Sequence, residues 1–206
     1  MSTKANNRPI VSKVFCSPHQ QVLTVRRRPN VAMGGGYEVT ESTQKHVVFR
    51  VDGCGTLGSR EKLVLKDGCG EALLLIRRKE GVVEALSLYR RWRGYRVQYE
   101  VPQELLFTLK DPKSCLAGSN AIRISAQHRI CDSSGGFTIR GNFSDKDCSI
   151  VDGRGIIIAQ IWRNQKAENW KLSDDLYHVT IKPSIDQAFV IGVIAVLDYI
   201  YGESTR

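Results

Sequence analysis

Apolar and polar residues alternate in short runs along most of the chain from Val22 onward, and Gly, Asp, Asn or Pro residues separate the runs. In the run 177–182, for example, the odd positions are apolar and the even positions are polar. Alternation with a period of two predicts β-strands that have one buried face and one solvated face. About a dozen strands are predicted in this way: Val22–Arg26, Tyr37–Thr40, Val47–Val51, Lys62–Lys66, Ala72–Arg77, Val82–Tyr89, Tyr95–Val101, Leu105–Leu109, Ala121–Ala126, Phe137–Phe143, Cys148–Val151, Ile156–Trp162 and Tyr177–Lys182. Regular spacing of so many short strands is typical of a β-barrel or a β-sandwich.

The last element differs in kind, because Ala188–Leu197 is an uninterrupted apolar run. Ser184 followed by Gln187 has the spacing of a capping box, and Gly202 stands where a helix stop is expected. The pattern therefore predicts a helix over residues 185–201. A helix that is apolar on nearly every face is surrounded either by protein or by lipid.

The length of the apolar run favours burial in protein over a membrane anchor. Asp186 and Asp198 limit the apolar stretch to 11 residues. At 1.5 Å per residue this stretch is about 17 Å long, whereas the hydrocarbon core of a bilayer is ~30 Å thick. We therefore predict a mainly β architecture, a closed antiparallel barrel whose lumen is filled by the buried hydrophobic C-terminal helix. The residues predicted to lie inside the barrel are Phe189, Ile191, Ile194 and Val196.

Two parts are predicted along the chain. Residues 1–20 are polar and contain Pro9 and Pro18, which predicts a flexible N-terminal tail. The alternative is a tail with one loosely attached strand over Ile10–Phe15. Residues 21–206 are predicted to form a single domain, since globular domains usually contain roughly 100–200 residues.

Positive charge is concentrated in two segments. The chain has 30 Lys and Arg against 21 Asp and Glu, a formal net charge of +9. Residues 1–36 contain six basic residues and no acid, and residues 77–96 contain seven basic residues and two acids. This concentration favours an anionic partner such as phosphoinositide headgroups or nucleic acid, and a solvated basic surface is the alternative.

The second basic segment supplies the candidate site. Its arginines are interleaved with Trp92 and Tyr95, so that guanidinium groups can hold phosphates while the rings lie at a membrane interface or stack on bases. In the alternative, the two aromatic residues pack into the barrel and the arginines are solvated. The residues assigned to this candidate anionic-lipid patch are Arg90, Arg91, Arg93 and Arg96.

No residue pattern indicates an enzyme or a metal site. The four histidines are isolated from one another, and the closest two of the six cysteines are 15 residues apart, which leaves no zinc-binding spacing. Nucleophile-elbow, phosphate-loop and reactive-cysteine motifs are not found. We therefore expect a non-enzymatic protein without catalytic residues, cofactor or stable metal. The cysteines are expected to be reduced thiols in a cytoplasmic protein.

Several short motifs follow one another along the chain over about residues 20–201. The motifs are Phe49-Arg50-Val51-Asp52-Gly53, Leu63-Val64-Leu65-Lys66-Asp67-Gly68, Leu75-Ile76-Arg77-Arg78-Lys79, Trp92-Arg93-Gly94, Ile139-Arg140-Gly141-Asn142, Asp147-Cys148-Ser149-Ile150-Val151-Asp152-Gly153, Ile185-Asp186-Gln187-Ala188-Phe189 and Leu197-Asp198. None is specific alone, but the ordered set resembles the plant LURP-one-related family. The resemblance implies the tubby-like fold, a twelve-stranded barrel around a hydrophobic C-terminal helix, which phospholipid scramblases share.

The resemblance also implies a functional class. Founding members of the family are linked to plant defence, tubby proteins bind phosphoinositides, and scramblases move lipids. We therefore expect a role in plant defence or stress response with binding to phosphoinositide or another anionic membrane lipid, and nucleic acid ranks lower as a partner. The alternatives are a scramblase-like protein inserted in the membrane and a membrane-tethered, transcription-associated regulator. The expected location is cytoplasmic, with the plasma-membrane surface and the nucleus as alternatives. No binding residue is transferred from the family, and the oligomeric state stays open.

Overall fold

Twelve antiparallel strands form a closed barrel in the computed structural model, which describes residues 9–28, 35–43, 46–54, 62–79, 81, 86–98, 101–113, 121–127, 136–163 and 176–202. The strands are β1 (Gln21–Arg28), β2 (Gly35–Glu41), β3 (Val47–Cys54), β4 (Lys62–Asp67), β5 (Ala72–Arg78), β6 (Tyr89–Gln98), β7 (Val101–Pro112), β8 (Arg123–Ala126), β9 (Gly136–Asn142), β10 (Asp147–Asp152), β11 (Ile157–Trp162) and β12 (Leu176–Ile181). Each strand pairs with its neighbours in chain order, and β1 closes the ring by pairing with β12. The predicted barrel is therefore confirmed.

The C-terminal helix α1 (Gln187–Gly202) fills the lumen of this barrel. Inward side chains of the strands, such as Val179 and Ile181 of β12, belong to the same buried core as the helix, as the alternation predicts. All residues from 188 to 197 are buried, and the four predicted to lie inside the barrel are among them. The predicted burial of the helix is confirmed. In the part of the chain that the structure describes, no helix has the length and apolar content needed to span a bilayer.

The start of the helix differs from the prediction. The capping box assigned to Ser184 is wrong, because Ser184 has a φ of 62° and lies before the helix, which begins at Gln187. The cap is Asp186, whose Oδ1 accepts a hydrogen bond from the backbone N–H of Phe189 at 3.2 Å. A carboxylate at this position satisfies a free N–H group and interacts favourably with the helix dipole.

The second carboxylate oxygen of Asp186 holds the N-terminal segment against the barrel. Oδ2 accepts hydrogen bonds from the backbone N–H groups of Ile10 at 3.0 Å, Val11 at 2.6 Å and Ser12 at 3.0 Å. The side chains of Ile10 and Val11 are buried in the core, and a short 3-10 helix, Lys13–Phe15, follows. The flexible tail was predicted over 1–20, with a strand over 10–15 as the alternative. The structure instead packs residues 10–12 onto the helix start and forms no strand there, and residues 1–8 lie outside the described residues.

The strand predicted over Val82–Tyr89 is wrong at residues 86–88. Leu86–Leu88 form a bend, and β6 begins at Tyr89; residues 82–85 lie outside the described residues. The basic stretch that lay between two predicted strands is instead the body of β6, because β5 and β7 pair with it on both sides. Gly94 permits this pairing, since a Cβ atom there would lie 2.3 Å from the buried ring of Phe107.

Candidate functional site

The four arginines of the predicted patch lie on β6, but they do not share one surface. Side chains alternate across a strand, and the buried Trp92 marks the inner face of β6. Arg91 and Arg93 therefore lie on the outer wall of the barrel. Arg90 and Arg96 belong to the inner face at opposite ends of the strand, about 20 Å apart at ~3.3 Å per residue.

An acid of β7 pairs with each inward arginine. Arg90 Nε lies 2.8 Å from Oδ2 of Asp111, a buried carboxyl group whose pKa is raised by burial while Arg90 opposes the shift. Arg96 Nε lies 3.5 Å from Oε2 of Glu104, and Arg96 stands opposite the buried Leu74 of β5. Because these two arginines already face carboxylates, they are poor candidates for binding a further anion.

The outward arginines belong instead to two rows of cations that run across neighbouring strands. Residues that stand directly opposite each other in a sheet share a face. In the first row, Lys62 of β4 stands opposite Arg77 of β5, which stands opposite Arg93. In the second row, β6, β7 and β8 contribute one cation each. The members of the second row are Arg91, Lys110 and Arg123. We call the six residues the basic face.

Acidic residues do not interrupt the basic face on β5 to β8. Those four strands contain two acids, Glu104 and Asp111, and both are the partners of the inward arginines described above. Lys62, Arg77, Lys110 and Arg123 are exposed, whereas Arg91 and Arg93 are half-buried. Within the described strands β5 to β8, no acid therefore lies between the cations of the basic face.

This arrangement is expected to lower the stability of the free protein. Like charges that stand directly opposite each other in a sheet are destabilising, each pair by up to ~1 kcal/mol. The basic face contains four such pairs in its two rows. A bound anion would offset that repulsion.

Lys110→Gln is expected to raise the free energy of unfolding by about 0.5 kcal/mol, because Lys110 stands between Arg91 and Arg123 and the change removes two repulsive pairs. Urea denaturation at low salt measures the gain, which should shrink as added salt screens the repulsion. Lys182→Gln, at an exposed lysine just after β12, is the matched control and should change little. A less stable Lys110→Gln variant would show that the rows do not repel.

Sequence reasoning found only part of the basic face. It identified Arg91 and Arg93, and it counted Arg77 within the charged segment. It missed Lys62, Lys110 and Arg123, which are far apart along the chain. The available signal was weak: each is a polar residue in an alternating run. Only the strand register shows that they lie side by side.

The chemistry of the basic face suits phosphate groups. A guanidinium group offers several N–H donors in a plane and binds phosphate through two parallel hydrogen bonds, whereas lysine acts as a point charge. The Arg77 guanidinium carbon lies 5.1 Å from the centre of the Tyr95 ring, a cation–π distance that orients this side chain on the outer wall. The face is a wide surface of strands rather than a pocket.

Other reactive groups in the described residues show no catalytic arrangement. No cluster of three or more His, Cys, Asp or Glu residues within the described ranges has the geometry to hold a metal ion. The ring of His178 packs on Trp162 with centroids 4.6 Å apart, and its Nδ1 lies 3.2 Å from the hydroxyl of Thr24. Burial raises the pKa of the Cys148 thiol to about 12, so this thiol stays protonated and is a poor nucleophile.

Comparisons with known proteins place these features in a family. The family model described as LURP-one-related matches residues 21–198. Protein LURP-one-related 6 of Arabidopsis thaliana is 50% identical over 197 residues, which cover 95% of this chain and 97% of that protein. Protein LURP-one-related 16 of the same plant is 44% identical, covering 96% of this chain and 94% of its own length. Protein LURP1 is 25% identical and covers 91% and 87%. These names state no enzymatic activity.

A solved structure shows the same fold. The X-ray structure of an Arabidopsis thaliana protein superposes with a TM-score of 0.64 at 22% identity, covering 96% of this chain and 98% of that one. The family match, which spans all twelve strands and most of α1, confirms the resemblance found in the sequence motifs. The chain therefore belongs to the LURP-one-related family.

Proposed function

We propose that this chain is a non-enzymatic barrel protein that binds anionic membrane lipids, phosphoinositides among them, through its basic face. The pathway is a plant defence or stress response, the role that the family resemblance implies. The observation that supports the proposal is the pair of cross-strand cation rows on β4 to β8, with no acid among them on β5 to β8.

The extent of the basic face favours a membrane surface over one small anion. Neighbouring strands lie ~4.8 Å apart, so five strands span about 19 Å, enough to meet several headgroups at once. Each Lys or Arg near an anionic membrane contributes about 1 kcal/mol of attraction. Several cations acting together therefore give reversible peripheral binding that depends on salt.

The position of α1 supports peripheral binding over insertion. A scramblase-like protein anchored by its C-terminal helix would need that helix in the bilayer. In the structure α1 is enclosed by the strands, and its run from 188 to 197 is buried in the core. The cytoplasmic location remains part of the proposal, with transient residence at the inner surface of the plasma membrane.

Replacing Arg93, Lys110 and Arg123 together by Gln is expected to weaken vesicle binding by roughly 100-fold, since three cations of about 1 kcal/mol each are lost. Co-sedimentation with phosphatidylcholine vesicles that contain phosphatidylserine or phosphatidylinositol bisphosphate measures the partition coefficient at two salt concentrations. Binding of the unchanged protein should fall as salt rises and should be absent on pure phosphatidylcholine.

The matched control removes three charges on the opposite side of the barrel. Arg26, Arg27 and Lys182 are exposed and lie on β1 or directly after β12, about half a turn of the barrel from β6 and β7. Their triple Gln variant has the same net charge as the test variant and should bind vesicles more tightly than it does. Equal binding by the two variants would disprove the role of the basic face. Salt-sensitive binding of the unchanged protein to duplex DNA but not to vesicles would favour a nucleic-acid partner instead.

A further inference from the structure

We infer that Leu86 and Leu88 insert into the apolar layer of the membrane beside the basic face. The inference rests on the proposed function, and it adds a contact that charge alone does not supply. The partner of this surface is a lipid bilayer that contains anionic headgroups.

The two leucines are exposed to an unusual degree for apolar residues. Leu86 is 82% exposed and Leu88 is 51% exposed, in a bend that leads directly into β6. Side chains of this size are normally buried in the core of a barrel, as the inward leucines of β4 and β5 are. Scattered exposed apolar residues need no explanation, but these two lie close together at the end of one strand.

The bend is anchored beside the cation rows. The carbonyl oxygen of Leu88 accepts a hydrogen bond from the backbone N–H of Lys113 at 2.8 Å, which joins the bend to the end of β7. Leu88 precedes Arg91 by three residues, about 10 Å along a strand. Lys113 follows Lys110 at the same distance. The leucines therefore lie at the rim of the barrel, next to the row formed by Arg91, Lys110 and Arg123.

A tyrosine lies between the apolar bend and the cations. Tyr89 is the first residue of β6 and stands opposite Pro112, between Leu88 and the second cation row. Its side chain is half-buried. Tyrosine is enriched at membrane–water interfaces, where the ring meets the boundary between headgroups and acyl chains. The order from the rim into β6 is thus apolar, aromatic, cationic, which matches the order of layers from the acyl chains to the phosphates.

This order distinguishes a bilayer from a nucleic acid. Phosphates of either partner would satisfy the cations, but exposed leucines gain nothing from a phosphate backbone. Inserted in the acyl region, they lose contact with water, and the gain is roughly proportional to the apolar area buried. The membrane affinity of a peripheral protein rises with the apolar area that it buries and with its electrostatic attraction to anionic lipids.

The first test is a double substitution, Leu86→Ser with Leu88→Ser, on vesicles of phosphatidylcholine and phosphatidylserine. We expect the partition coefficient to fall about tenfold, because the serine side chains do not bury in the acyl layer the apolar area that the two leucines bury there. The ratio of binding at low and high salt should stay that of the unchanged protein, since the cations are intact. The matched control is Val101→Ser, which removes an apolar side chain that is 56% exposed at the opposite end of the β6–β7 pair, and its binding should be unchanged.

The second test measures depth directly. Lipids that carry bromine on their acyl chains should quench the fluorescence of the tryptophan introduced by Leu86→Trp. The quenching should exceed that of the unchanged protein. Val101→Trp should show no added quenching.

The outcomes separate this inference from the proposed function. Salt-sensitive vesicle binding that the serine substitutions leave unchanged, without added quenching at Leu86→Trp, would overturn the insertion while the basic face retains its role. If the unchanged protein does not bind vesicles, both the insertion and the proposed function are overturned. A tenfold loss at both salt concentrations together with quenching at position 86 supports the insertion.

Discussion

Ile194→Asp is expected to prevent folding. Ile194 is completely buried in the middle of α1, so the substitution removes a buried side chain and places an unpaired carboxylate in the lumen. The loss of apolar burial costs about 2–5 kcal/mol, and an unpaired buried charge adds several more. Domains of this size have a stability of only about 5–15 kcal/mol. Circular dichroism and a urea transition should show an unfolded or insoluble chain.

Two control variants test whether any substitution in α1 would have the same effect on folding. Gln187→Asp places the same residue in the first turn of α1, where a negative charge is favourable, and should leave stability nearly unchanged. Ile194→Val should cost about 1 kcal/mol.

Removal of residues 184–206 should also abolish folding, because the lumen loses its core. A folded 1–183 fragment with a well-dispersed NMR spectrum would contradict the buried-helix barrel and favour a helix that acts as an anchor.

Lys146→Met is expected to lower the free energy of unfolding by about 3 kcal/mol, because it leaves Asp198 without its partner in a buried site. Lys146 Nζ lies 3.2 Å from Asp198 Oδ1, and both side chains are almost entirely buried. The same Nζ lies 3.8 Å from the centre of the Phe143 ring and 4.5 Å from that of Tyr177. Burial lowers the pKa of Lys146 and the Asp198 charge opposes the shift, so the ion pair offsets the loss of water.

The matched experiment replaces both partners. Lys146→Met combined with Asp198→Leu should recover most of the loss, since an apolar pair of similar volume needs no charge compensation. Urea denaturation of the two single variants and the double variant gives the interaction energy as a double-mutant cycle. If the stability losses of the two single variants simply add in the double variant, the Lys146–Asp198 ion pair does not hold the β9–β10 turn against α1.

Alternation and length predict most of the architecture. The burial of α1 follows from ten apolar residues that are too few to cross a bilayer, and the alternation in β12 predicts its inward face. The helix start was misassigned because Ser184 and Asp186 are both good N-caps, and the choice depends on contacts with Ile10 and Val11 far away in the chain.

The candidate site was less predictable, for a geometric reason. A cluster of charges along the sequence was visible at Arg90–Arg96, but consecutive residues of a strand point to opposite faces. The neighbours that complete the rows come from β4, β5, β7 and β8 through strand pairing. Pairing depends on the closed barrel as a whole, so the weak local signal at Lys62, Lys110 and Arg123 did not show that they lie beside the arginines.

The closure of the barrel sets the order of events during synthesis. β1 is made early, but its partner β12 and the core helix come at the end of the chain, and Asp186 meets residues 10–12 across 174 to 176 positions. Contacts so distant in sequence make folding slow, because the chain must close a long loop before they form. Until α1 leaves the ribosome, the inward faces of the strands have no helix to cover them, and exposed apolar surface of this kind favours aggregation. A stop codon within the segment that encodes α1 would therefore be as damaging as one within the segment that encodes β1.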